Sequence, residues 1–343
     1  MQELDNISSS QYADSLMVKI QSNFTKVRNA INSLEQNEGG GTVASQDYPL
    51  PVNHATPTFL YDADFTKLKV LAIGNSFTKC STIAFPAIAA LMSMTSYNLQ
   101  TYGTGGASLE TTLRVIRKGT GTGANMYYAN YGDDGLATHQ SSPSTYLNAL
   151  KKDWDVIIFQ QNSDNAADFS TYNPWVDALI EAARRYCTNP RVRIGWNMIW
   201  DKHHGTSSAE RDYILRNSEK LLMHYDIDLV VPTGTAFENA WSNGLTISID
   251  ASGHTNNAAA EYLAAATWYQ ALFSKFNKTI TDESSDGGIT FHDINTVTPS
   301  DVQTWTGGYQ GNASRTISVA DAVLAARCAK AACDDMWNAT TLS

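Results

Sequence analysis

Val70-Leu71-Ala72-Ile73-Gly74-Asn75-Ser76-Phe77 opens with four consecutive apolar residues and closes them with a glycine and an asparagine. A short unbroken apolar run with that punctuation reads as a strand buried on both faces of a parallel sheet. The apolar pattern from about Ile83 to Met94 then predicts a helix. Open α/β sheets gather their ligands at the carboxyl edge, where strands hand over to helices. A serine at that handover has its hydroxyl lifted to the edge, beside helix-terminal N–H groups that can hold an oxyanion. Ser76 is therefore a candidate nucleophile. The same position also suits a plain helix N-cap, so chemistry follows only if partners stand nearby.

Outward from this stretch, strands and helices alternate. Leu99–Tyr102 predicts a second strand, Val156–Phe159 a third, Val192–Trp196 a fourth and Leu229–Val231 a fifth. Helical patterns at Trp175–Cys187, Ser207–His224 and Ala258–Phe276 fit between and after them. This order implies an α/β three-layer sandwich: a mostly parallel, flavodoxin-like central sheet covered on both faces by right-handed crossovers. Gly119–Ser144 is rich in Gly, Asn, Tyr and Asp without periodicity and reads as a long surface excursion roofing the site. Near the end, Gly287–Phe291 predicts a short strand and Val319–Trp337 an alanine-rich helix.

The first residues differ in kind. Met17, Ile20, Phe24, Val27, Ile31 and Leu34 are spaced 3, 4, 3, 4, 3, a coiled-coil-like seam, which Ser8, Ser9 or Ser10 would cap. The domain plan is thus a helix over 1–38, a Gly-rich linker over 39–66 and an α/β domain over 67–343. So narrow a seam calls for a partner helix, giving a homo-oligomer; the alternative is a helix docked on its own body.

Charge and composition exclude several classes. With 343 residues and a net charge of −10, the chain has no basic cluster, which argues against a nucleic-acid partner. No run of about 18 apolar residues occurs, so no membrane span is expected. Met1–Asn6 lacks a basic region and an apolar stretch, hence no signal peptide; the expected location is cytoplasmic or virion-associated. Cys80, Cys187, Cys328 and Cys333 show no C-x-x-C spacing and are expected to be free thiols. Asp201 with His203 and His204 offers too few ligands for a metal on one loop, and Asp133-Asp134-Gly135 lacks a calcium-loop pattern. Neither a metal nor a cofactor is expected.

Hydrolysis by a serine needs a base, something to orient that base, and donors for the oxyanion. Gly106 in Gly105-Gly106-Ala107-Ser108 follows the second strand, and Asn162 in Gln160-Gln161-Asn162-Ser163 follows the third. His254 in Asp250-Ala251-Ser252-Gly253-His254 precedes a long helix. All four positions fall at strand-to-helix turns. The set Ser76, Gly106, Asn162 and His254 resembles the four blocks of the SGNH (GDSL-like) esterases and lipases, and is similar to an uncharacterised branch common among gut bacteria. Leu229–Phe237 and Trp196–Trp200 share in that resemblance, which spans roughly residues 67–275. It implies that Ser76 attacks, that His254 is base and then acid, and that the N–H groups of Ser76 and Gly106 with the Asn162 amide hold the oxyanion.

Two positions depart from the family pattern. Asn75 stands where many members carry Asp, and Ala251 stands where the acid normally lies, three residues before the histidine. Either Asp250 reaches His254 from four residues before, or a backbone carbonyl orients the ring. Gln160 and Trp200 are candidates for substrate binding, Trp200 by stacking on a sugar.

The expected function is a serine esterase removing a small, acetyl-like group from an acylated glycan; the carbohydrate part rests on the resemblance. The alternatives are a phage virion structural or receptor-binding protein, with virion proteins as partners, and a catalytically silent glycan-binding module. Residues 20–32 resemble segments near the start of phage tail and fibre proteins.

Overall fold

The computed structural model describes residues 68–94, 97–118, 126–131, 145–204, 208–274, 278–280, 289–307 and 313–342. The expected helix over 1–38, the linker over 39–66 and most of 119–144 lie outside the described residues.

Six strands form the central sheet: β1 (Leu68–Gly74), β2 (Tyr97–Thr104), β3 (Met126–Tyr131), β4 (Val156–Phe159), β5 (Arg193–Asn197) and β6 (Leu229–Val231), in the order β3-β2-β1-β4-β5-β6. Five run parallel, and β3 closes one edge antiparallel to β2. The apolar run at 70–73 lies at the centre, with Val70, Leu71, Ala72 and Ile73 all 0–1% exposed. Each large aliphatic side chain so buried contributes about 1.5–3 kcal/mol. Sheets of this kind bury both faces, which is why the strand shows no polar alternation.

The helices follow the alternation: α1 (Ser76–Thr82), α2 (Phe85–Leu91), α3 (Leu109–Lys118), α4 (Tyr146–Leu150), α5 (Trp175–Tyr186), α6 (Ser208–His224), α7 (Thr233–Ser242), α8 (Ala258–Trp268) and α9 (Val319–Asp334). Three elements differ from expectation. The helix anticipated over 83–94 is shorter, α2 alone with Pro86 in its first turn, and a separate helix, α1, precedes it over Ser76–Thr82. The 119–144 stretch contributes β3, whose tyrosines suit an extended edge strand better than a loose excursion. The helix anticipated through Phe276 stays α-helical only to Trp268, and a π turn covers Tyr269–Phe273.

The core helix α8 is buried along nearly its whole length and carries a carboxylate inside: Glu261 is 0% exposed. After it, β7 (Lys278–Ile280) and β8 (Ile289–Phe291) pair antiparallel, and a hairpin of β9 (Gln303–Gly307) and β10 (Ala313–Ile317) meets α8. Trp305 Nε1 donates to Glu261 Oε2 and Arg315 Nε to Oε1, both at 2.9 Å. A buried carboxylate needs such donors, and they tie the hairpin to the helix. All four cysteines are free thiols, with Cys328 and Cys333 both on α9.

Candidate functional site

The sheet register brings the strand ends level. Gly74 pairs with Gly103, while Ile73, Phe159 and Trp196 lie in one row across β1, β4 and β5. The segments that follow therefore leave from a common carboxyl edge, the place where open parallel sheets bind ligands.

Ser76 is the first residue of α1, and the cap is its neighbour. Asn75 Oδ1 accepts from Phe77 N at 3.1 Å, and Asn75 O accepts from Thr78 N and Lys79 N. The capping role that would have explained the serine without chemistry thus belongs to Asn75. Ser76 itself is 6% exposed.

Asn75 is also the hub of a buried polar row. Its Nδ2 donates to Ala107 O at 3.1 Å and to Gln161 O at 3.4 Å, tying together the segments after β2 and β4. Its Oδ1 accepts from Gln160 Nε2 at 2.7 Å; Gln160 Oε1 accepts from Asn197 Nδ2 at 2.7 Å; Asn197 Oδ1 accepts from Thr233 Oγ1 at 2.8 Å. The backbone fixes the direction of the whole row. Phe77 N can only donate and the carbonyls of Ala107 and Gln161 can only accept, so the Asn75 amide has one orientation and each next amide inherits it. Asn75, Gln160, Asn197 and Thr233 are all 0–2% exposed. A side chain at Gly74 would run into Thr78 Oγ1 and come within 2.8 Å of Gln160 Cγ, which is why a glycine precedes Asn75.

Gly106 lies in an exposed turn closed by Ala107 N donating to Thr104 O at 3.0 Å, with φ +68°. That left-handed conformation favours glycine, and the space where a Cβ would sit is open. Asn162 Oδ1 accepts from Asn165 N at 3.0 Å, which turns its Nδ2 toward Gly106, where it donates to the carbonyl at 3.1 Å. One amide hydrogen is thereby engaged, and the group carries a second.

The histidine comes from the far side. Asp250 Oδ2 lies 3.2 Å from His254 Nδ1, so the acid reaches the ring from four residues before. Asp250 Oδ1 accepts from Ser252 N at 2.8 Å and His254 N at 3.0 Å. Burial pushes this carboxyl up, but those two N–H groups and the imidazole outweigh it and hold it below the usual carboxylate value. Gly253, at φ +83°, makes the turn; a Cβ there would lie 2.5 Å from Lys202 Cβ and 2.9 Å from Phe77 Cζ. The loop rests on aromatic rings: Phe77 is 5.9 Å from the His254 ring and 4.7 Å from Trp200 by ring centres. Trp200 Nε1 donates to Gly253 O at 2.8 Å.

Two expected substrate contacts sit elsewhere. Trp200 is 0% exposed, stacked 4.4 Å from Phe237 and pressed on Phe77, so no face is left for a sugar. Gln160 is 2% exposed and both ends of its amide are engaged beneath the edge. Both residues support the site from below. Asn75, Asn197 and Thr233 complete the buried row, which the sequence does not reveal as a group; there Asn75 reads as strand punctuation and as a departure from the family pattern.

Beside the His254 loop lies a second polar cluster, formed by Asp201, His203, His204, Arg211 and Glu238. Glu238 is 6% exposed; burial, opposed by Arg211 and reinforced by Asp201 and Asp212, pushes its carboxyl up to about 7. His204 stacks on Trp241 with ring centres 3.4 Å apart.

These features define an α/β protein whose parallel sheet carries a polar, loop-built site at its carboxyl edge. Residues 69–284 match the model of a family described as "Domain of unknown function (DUF4886)", and the chain belongs to that family. The crystal structure of a DUF4886 family protein from Bacteroides uniformis shares the fold: TM-score 0.64 at 20% identity, over 80% of this chain and 97% of that one. No curated protein matches the chain. Among the described residues, no helix is long and apolar enough to cross a membrane.

Proposed function

We propose that the protein is a serine esterase that removes small, acetyl-like acyl groups from a carbohydrate. The observation that carries this reading is the Asp250–His254 pair set against Phe77, the residue after Ser76. The resemblance of the Ser76, Gly106, Asn162 and His254 blocks to SGNH esterases supports it and supplies the carbohydrate.

In this mechanism Ser76 Oγ forms a bond to the acyl carbon while its proton passes to His254 Nε2. Asp250 keeps the ring turned and steadies the imidazolium. Charge gathers on the carbonyl oxygen, and the N–H groups of Ser76 and Gly106 with the free Asn162 Nδ2 hydrogen meet it. The bond to the sugar oxygen breaks, and His254 returns the proton to that oxygen. Water then repeats the sequence on the acyl-enzyme, releasing a carboxylic acid and restoring Ser76.

Purified protein is expected to hydrolyse p-nitrophenyl acetate and to be labelled by a fluorophosphonate at Ser76. Ser76→Ala should lower the rate by about a thousandfold or more and abolish the label. Full activity in that variant refutes the assignment. A wild-type protein with neither hydrolysis nor label, yet binding glycans, is the silent-module outcome.

A further inference from the structure

We propose a divalent-cation site formed by Asp201, His203 and Glu210, at the flank of the esterase site and separate from its chemistry. One ligand atom from each of these residues lies within 4.8 Å of the others. The three come from two elements: Asp201 and His203 from the segment after β5, Glu210 from the first turn of α6. Asp201 is 4% exposed, and its backbone-bonded carboxylate is rigid, with Oδ1 accepting from His203 N at 2.6 Å. His203 Nδ1 stands 2.5 Å from Glu210 Oε2.

The Asp201 and Glu210 carboxylates converge on one imidazole and repel each other, and a positive charge held among the three ligand atoms relieves that repulsion. The guanidinium of Arg211, next in sequence to Glu210, is turned to Glu238 instead, with Nε 3.5 Å from Oε2. A dication would neutralise the pair of carboxylates. Bonds of about 2.0–2.1 Å set ligand atoms roughly 3.3 Å apart in a tetrahedral shell. The set reaches that spacing by side-chain shifts of about 1.5 Å or less, with water as the fourth ligand. One imidazole among oxygens favours zinc or another first-row ion over calcium or magnesium.

The ion would pin the segment carrying Trp200 and Lys202 to α6. Trp200 donates to Gly253 O, and Lys202 pairs with Asp164 on the Asn162 segment. The site therefore braces two loops that frame the proposed active site, without touching the reacting atoms.

The test uses the full chain, stripped with chelator and titrated with zinc chloride by calorimetry, with bound metal measured after dialysis. Wild type should bind about one equivalent and gain thermal stability. Asp201→Asn, His203→Ala and Glu210→Gln should each weaken binding by more than about tenfold. His204→Ala should leave it intact, since that ring lies on Trp241. Absence of stoichiometric binding by wild type, or equal binding by all three variants, overturns the proposal. Because the readout is metal content, it stands or falls independently of ester hydrolysis.

Discussion

Replacing Asn75 with aspartate tests whether the buried polar row has the direction assigned to it. The family pattern makes this change look conservative, yet the structure says otherwise. Asn75 Oδ1 accepts from Gln160 Nε2 and Phe77 N, and a carboxylate would accept equally well. Nδ2, however, donates to Ala107 O at 3.1 Å and Gln161 O at 3.4 Å, in a residue 1% exposed. Asn75→Asp turns both contacts into oxygen facing oxygen. Each of the two buried groups left without its partner costs about 1–3 kcal/mol, so the loss should be about 2–6 kcal/mol at neutral pH. Equilibrium urea unfolding measures it. The penalty should shrink in acid, where the introduced carboxyl regains a proton and one donor. Its folded pKa is raised, so stability is greatest below the ordinary value of about 3.9 and falls as pH climbs through the raised one. Ester hydrolysis should fall alongside, because the Gly106–Ala107 segment loses a tether. A variant within about 0.5 kcal/mol of wild type at pH 7, with unchanged kcat, refutes the assigned direction.

Two further outcomes follow from other contacts. Asp250 has a folded pKa below its unfolded value, so its stabilising bonds are complete above about pH 4 and are lost as pH falls through the lower value. The Tm advantage of wild type over Asp250→Asn should thus be flat from pH 5 to 7 and narrow below pH 4; a constant difference throughout contradicts this. Arg315→Met strips a guanidinium from the fully buried Glu261 carboxylate and should lower stability by about 3–5 kcal/mol in guanidinium unfolding. A loss under about 1 kcal/mol means the carboxylate does not depend on Arg315 for its burial.

The sheet was legible because its strands are apolar on both faces. Val156–Phe159 and Leu229–Val231 match the observed strands residue for residue. The β9–β10 hairpin was missed because Gln303-Thr304-Trp305-Thr306-Gly307 buries little and reads as polar loop. Helix α7 was missed because Pro232 and Gly234 punctuate its start like a turn. Ser76, Gly106, Asn162 and His254 could be picked out because each sits at a turn after a readable strand or before a readable helix. Asn197 and Thr233 could not, since which amide faces which is a matter of three-dimensional neighbours. Glu210 escaped the same way: it joins Asp201 and His203 only through the packing of α6.

The row from Thr233 to Asn75 has one further consequence. Every member gives a hydrogen to the next, and the polarity is anchored at one end by peptide groups that cannot reverse. Substituting a single member sets lone pair against lone pair, or leaves a hydrogen facing nothing, so viable sequence drift here has to proceed through compensated double changes. The underside of the sheet edge should accordingly evolve as a block, while the exposed rim above it is free to diversify.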